Sequence, residues 1–187
     1  MENKQKELPE VEVVLPAGEA NLYAFVVFAA ALALFAVPFI ALWGFAAVVN
    51  GLISFLTSWS LLIVVPVGMA VHELLHAVVF AAFCKRGFAS ISFGMKWKYL
   101  SPWVHCKEAL PLNAYRLGTL MPGLATGIVP AVVALITGNA WLLSFGLFFT
   151  AGAASDFHSL LKLVGTDDQY EVCDHPDEAG FILRQRT

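Results

Sequence analysis

Charge is scarce in this 187-residue sequence. Asp, Glu, Lys and Arg together make up 13%, about half of the ~25% usual in a soluble domain. Basic residues are fewer than acidic ones, 11 against 14, and the net charge is −3. A nucleic-acid partner would need a basic face, so that class is excluded. Cysteine is sparse too: Cys84, Cys106 and Cys173 make no paired framework, and reduced thiols are the expectation. No internal repeat or low-complexity segment is present. The first 21 residues are polar and acidic, unlike the basic start of a cleavable signal peptide. Apolar residues, by contrast, are abundant, at 59%, with a mean hydropathy of +0.74. This composition excludes disorder and indicates an integral membrane protein with lipid as its first partner.

The apolar runs set the expected architecture. Residues 22–49 carry no charge, and about 20 residues suffice to cross the hydrocarbon core. Asn50-Gly51 reads as a turn. A second run reaches Cys84, with Pro66 as an expected kink. Two more runs flank a turn at Gly138-Asn139. The fold class expected is an all-α polytopic membrane protein with spans at about 22–48, 59–84, 115–137 and 140–163. Together they form a core over 22–165. Residues 1–21 and 166–187 are read as tails. Between spans two and three, at about 88–108, residues alternate. Ile91, Phe93, Met95, Trp97 and Tyr99 fall on one face, and Ser92, Lys96 and Lys98 on the other. Period two is the mark of a half-buried strand, so a small hairpin is expected there. Its apolar residues Phe93, Met95 and Trp97 are candidates to hold an extended substrate. Val11 to Leu15 is a candidate further strand.

Basic residues sort by side. All eleven lie in the two tails, between spans two and three, or at the borders of those regions. The two turns on the other side hold none. The positive-inside rule then puts both termini and the hairpin in the cytoplasm.

Two acids fall inside the spans, Glu73 and Asp156, with His72, His76 and His158 beside them. Ionisable groups inside a membrane are costly and usually mark function. Residues 72–76 read His-Glu-Leu-Leu-His. On a helix, positions i and i+4 lie about 40° apart, so both imidazoles can grip one ion. This is the H-E-x-x-H arrangement, with two zinc ligands and Glu73 as general base. A catalytic zinc takes three protein ligands. Asp156 and His158 are the candidates for the third, at a depth that matches His76. Two residues apart, they point about 200° from one another, so a regular helix offers only one of them. Asp156 is preferred because one carboxylate together with a bound hydroxide balances the ion's charge, which suits a low-dielectric site. His158 is left to steady the transition state or orient Asp156. Gly152 to Ser155 would permit local unwinding beside them.

His-Glu-Leu-Leu-His in a membrane helix, with Asp156 about eighty residues later, resembles the site-2 protease class of intramembrane zinc metalloproteases. More closely, the stretch from Val71 to Leu183 resembles the zincin peptidase family of small prokaryotic membrane proteins. The resemblance is carried by the metal motif, Phe93-Gly94, Cys106-Lys107-Glu108, Met121-Pro122-Gly123, Asp156 and the run Asp174 to Phe181. It implies one Zn²⁺ per chain, held by His72, His76 and Asp156, with Glu73 as base. It implies a transmembrane or membrane-adjacent peptide substrate and a prokaryotic cell membrane as location. Two other readings use the same residues. One is a zinc hydrolase of a lipid-linked amide or ester. The other is a zinc-binding membrane protein without turnover, in which His158 makes a fourth ligand.

Overall fold

The computed structural model describes residues 10–59, 61–97, 101–176 and 178–186. Lys98 and Tyr99 of the alternating segment, most of the N-terminal tail and Asp177 lie outside the described residues. In a bilayer every backbone polar group must be satisfied within the protein, and helices do this segment by segment. The chain accordingly is mostly helical. Strand β1 (Glu10–Val14) precedes α1 (Ala17–Ala31), a π segment (Leu32–Ala36), α2 (Val37–Trp43), α3 (Phe45–Thr57) and α4 (Leu61–Phe83). Strands β2 (Ile91–Lys96), β3 (Ser101–Cys106) and β4 (Leu110–Pro111) follow. Then come α5 (Leu112–Pro122), a second π segment (Gly123–Ile128) and α6 (Val129–Thr137). The chain closes with α7 (Ala140–Gly152), α8 (Ala154–Lys162), β5 (Tyr170–Asp174) and β6 (Gly180–Gln185).

Three helical stretches are long and apolar enough to cross a membrane: Gly18–Trp43, Leu61–Phe83 and Leu112–Thr137. The fourth apolar run is a bent pair, α7 and α8, which meet at 46°. The break falls at Ala153, within the stretch of small residues expected to unwind. The turn expected at Gly138-Asn139 is present. Gly138 adopts a left-handed φ of 70°, and the Asn139 side chain accepts the Leu142 N–H at 3.0 Å to cap α7. Asn50-Gly51 is no turn. It lies inside α3, where Gly51 packs against Ala140. The chain breaks earlier, at Gly44, whose φ of 89° suits glycine.

The all-α expectation needs correction, because two small sheets cover one end of the helices. The hairpin is there: β2 and β3 pair antiparallel from Ile91↔Cys106 to Lys96↔Ser101. The segments read as tails form a second sheet, ordered β1-β6-β5-β4. Strand β1 does not join the hairpin. It pairs with β6, from Glu10↔Arg184 to Val14↔Gly180. Phe80, Tyr115, Leu163, Val172 and Phe181 form the core where helices meet this sheet. Phe39, Ala134 and Leu143 form a second core among the helices.

Glu108 anchors the hairpin to the end of α4. Its carboxylate accepts from the Ser90 hydroxyl, from the Lys85 N–H at 2.8 Å and from Arg86 Nε at 3.1 Å. The Ser90 bond leads the causes that hold this carboxyl down at about 2, from an ordinary 4.5. A depressed carboxylate contributes stability above the unfolded value, and that contribution is lost as pH falls toward the folded value. The melting temperature of wild type therefore exceeds that of Glu108→Gln at pH 6, and the gap closes between about pH 4.5 and 2. Thermal scans across that range check it; a gap independent of pH would contradict the assignment.

Candidate active site

Helix α4 delivers His72 and His76 one turn apart on its buried face, each 8% exposed. Their rings sit 5.1 Å apart. Helix α8 brings Asp156 between them: Oδ2 lies 3.0 Å from His72 Nε2, and Oδ1 lies 3.5 Å from His76 Nε2. Asp156 stands in the first turn of α8, where the helix dipole favours a carboxylate. The bend at Ala153 aims this turn at α4. Glu73 completes the group, since His72, Glu73 and His76 each offer a ligand-type atom within 4.8 Å of the others.

The far side of each imidazole is fixed by α5 and the π segment after it. His76 Nδ1 donates to the Gly118 carbonyl at 3.0 Å. That carbonyl is available because the residue four further on is Pro122, which has no N–H to give it. Gly118 also lacks the Cβ that would strike the Phe80 ring of α4. The Thr126 hydroxyl donates to the Pro122 carbonyl at 2.7 Å. Its lone pair is thus left to accept from His72 Nδ1 at 3.4 Å. These bonds assign the proton of each ring to Nδ1, which leaves a bare Nε2 facing Asp156.

Two nitrogen lone pairs and a carboxylate facing one another repel unless a cation lies among them. Protonating both rings would place two imidazolium ions side by side in a buried site, at high desolvation cost. One divalent ion resolves the conflict. Zinc bonds of about 2.0–2.1 Å in a tetrahedron put ligand atoms about 3.3 Å apart, and the observed 3.0 and 3.5 Å bracket that edge. The donor set fits zinc. Outer partners of metal-bound histidines typically contribute 10–100-fold in affinity. Thr126→Val, which keeps the shape and removes the acceptor, should weaken zinc binding by about that factor. Competition with a chromogenic chelator measures it; unchanged affinity would remove Thr126 from the site.

Strand β3 borders the site on a second side. The Lys107 N–H donates inward to Ser90 of the hairpin at 2.9 Å. The Cys106 N–H instead points outward and donates to Asp174 at 2.7 Å. Strand alternation then turns the Val104 N–H outward as well, and it meets the Glu73 carboxylate. Asp174 also accepts from the Tyr115 hydroxyl at 2.8 Å, and burial pushes its carboxyl up. A cavity of about 510 Å³ opens between these elements. Glu73, His76 and Asp156 form one wall, and Trp103, Val104 and His105 of β3 another. His175, Glu178 and Ala179, in the β5–β6 connection, face them. That connection is tied down by Leu15 N–H to Ala179 O at 2.8 Å and by Glu178 N–H to His175 Nδ1 at 2.9 Å.

Of the residues singled out in the sequence, His72, Glu73, His76 and Asp156 come together. His158 does not join them. It is fully buried on another face of α8, stacked on Tyr23 of α1 at 3.7 Å, with its Nε2 3.7 Å from Glu19. Phe93, Met95 and Trp97 are exposed and absent from the cavity lining. The hairpin turns its other face, with Ser92 and Trp103, to the cavity. Gly118, Thr126 and Val104 were not singled out as site residues. The signal for Gly118 was in the sequence, as a glycine four residues before a proline. Gly123 and Gly127 pack on α7 and α8 through Phe157 and Thr150, while the contact of the third span with the metal-motif helix runs through Gly118 and Thr126.

Paired histidines with an adjacent glutamate, on a helix apolar enough to span a membrane, define a membrane-bound zinc peptidase of the zincin type. The chain belongs to the family described as "Putative zincin peptidase", whose profile matches residues 62–170, more than half of its length. No curated protein and no solved structure matches it. Strand β1, nearly all of β5 and β6, and the connection facing the metal-motif residues lie outside the matched region.

Proposed function

We propose that this protein is an intramembrane zinc metalloprotease of the site-2 protease type. It hydrolyses peptide bonds of membrane-embedded or membrane-adjacent substrates. The observation that carries this reading is the Asp156 carboxylate lying across the Nε2 atoms of both histidines, with Glu73 at their side.

His72, His76 and Asp156 would hold one zinc per chain. Zinc in such a place supplies Lewis-acid polarisation of a carbonyl and acidifies water. Glu73 takes the proton of the attacking water on its carboxylate and delivers it to the leaving amine. The Val104 N–H orients that carboxylate from the strand side. The cavity bordered by β3 takes the substrate backbone.

Strand pairing supports four crossings. Paired strands lie on one side of a membrane, so β1 and β6 share a side, and so do β4 and β5. The chain between β4 and β5 must then cross an even number of times. The stretch Leu112–Thr137 supplies one crossing, and the bent α7–α8 pair supplies the other. Before β4, Gly18–Trp43 and Leu61–Phe83 make two more. Helix α3, at 13 residues, spans about 20 Å and is too short to cross alone. The basic residues put the sheets and both ends on the cytoplasmic side of a prokaryotic cell membrane.

The test is cleavage of a membrane-anchored peptide library by the zinc-loaded protein in liposomes, with Glu73→Gln as control. Products that depend on zinc and on Glu73 support the proposal. No cleavage by a well-folded, zinc-loaded wild type overturns it.

A further inference from the structure

Two thiols lie in contact just outside the metal cluster. Cys84 follows the last residue of α4, and its N–H still donates to the Phe80 carbonyl at 3.0 Å. Cys106 ends β3. Their sulfurs are 3.2 Å apart, against about 2.05 Å in a disulfide. Little movement separates the two states. Glu108 brackets both chain segments, through the Lys85 N–H on one side and its own closeness to Cys106 on the other. Cys106 is buried and Cys84 partly exposed. Burial, with Cys84 alongside, pushes the Cys106 thiol up to about 12, so Cys84 is the sulfur that meets an oxidant first. Cys173 lies on β5, where its thiol donates to the Asp174 carbonyl at 3.4 Å.

We propose that Cys84 and Cys106 form a reversible thiol–disulfide latch, oxidised by a peroxide, that ties the metal-motif helix to the strand beside Glu73. Cys84 attacks the O–O bond of hydrogen peroxide, giving a sulfenic acid and one water. The Cys106 sulfur then attacks the Cys84 sulfur and expels the second water. The two cysteines lose two protons and two electrons, and the peroxide is reduced to two waters. Two equivalents of a low-molecular-weight thiol restore both cysteines by exchange and leave as its own disulfide. Closing the bond draws Cys106 toward α4. The Cys106 N–H carries the Asp174 bond of 2.7 Å, so the movement reaches the cavity wall formed by β5. On a cytoplasmic face such a disulfide is transient rather than structural. The effect on the cavity rests on the function proposed above, while formation of the bond does not.

Full-length protein in detergent is treated with hydrogen peroxide, quenched, digested without reductant and analysed by mass spectrometry. The expected product is a Cys84–Cys106 linked peptide that disappears on reduction. It forms in Cys173→Ser and is lost in Cys84→Ser. Oxidised wild type should also melt at a higher temperature than reduced, because the bond restricts the unfolded chain. A linkage of Cys106 to Cys173, a disulfide between chains, or over-oxidation of Cys84 with no linkage overturns the latch. None of these readouts uses peptide cleavage, so failure of the latch and failure of the protease reading stay distinct.

Discussion

Glu73→Gln keeps about one zinc per chain and lowers peptide cleavage by about 10²–10⁴-fold, the range of a lost general base. The amide has the shape of the carboxylate but accepts no proton at neutral pH. The three metal-facing atoms are untouched, because neither the His72–Asp156 nor the His76–Asp156 contact involves Glu73. Kinetics separates the two roles a carboxylate could have here. A loss confined to kcat, with zinc content and KM preserved, identifies the base. Cleavage near the wild-type rate would remove Glu73 from the chemistry, and loss of zinc would make it a ligand.

Asp156→Ala should empty the site, whereas His158→Ala should leave it filled. Both residues sit on the nine-residue helix α8, and only one faces the histidines. Removing Asp156 leaves two neutral imidazoles to hold a divalent ion without a balancing charge. The loss should exceed the ~10–100-fold typical of outer-partner changes. His76→Ala should empty the site as well. His158, stacked on Tyr23, contributes packing between α1 and α8, so its loss should lower thermal stability and spare zinc content. Metal analysis of the three variants beside wild type decides the matter. Zinc retained in Asp156→Ala, or lost only in His158→Ala, would reverse the assignment.

The parts of this molecule that follow local rules were legible in its sequence. Spacing of i and i+4 put His72 and His76 on one face, and matched depth brought in Asp156. Period two marked the hairpin. What escaped depends on partners far along the chain. A strand near Val11 to Leu15 is legible, but its partner β6 lies some 170 positions away. Tyr170 to Asp174 alternates too briefly to announce a strand. The hairpin's apolar face looked fit for substrate because alternation gives two faces and does not say which one meets the catalytic groups. Asn50-Gly51 has the composition of a turn, but in α3 the missing Cβ serves a close approach to Ala140. Of the two supports of the imidazoles, Gly118 contributes a backbone carbonyl, which only its place four residues before Pro122 marks out.

The pairing of β1 with β6 has a consequence in time. Residue 10 cannot meet residue 184 until almost the whole described chain has left the ribosome. By then α4, α5 and α8 are already made and able to bring the two histidines and the aspartate together. The connection at His175–Gly180 arrives last, with Leu15 waiting for it. A newborn chain would thus own its reactive groups before it owns the opposite side of the cavity. Built in that order, a hydrolytic centre stays unfinished during its own synthesis and is completed only once the earliest strand finds the latest.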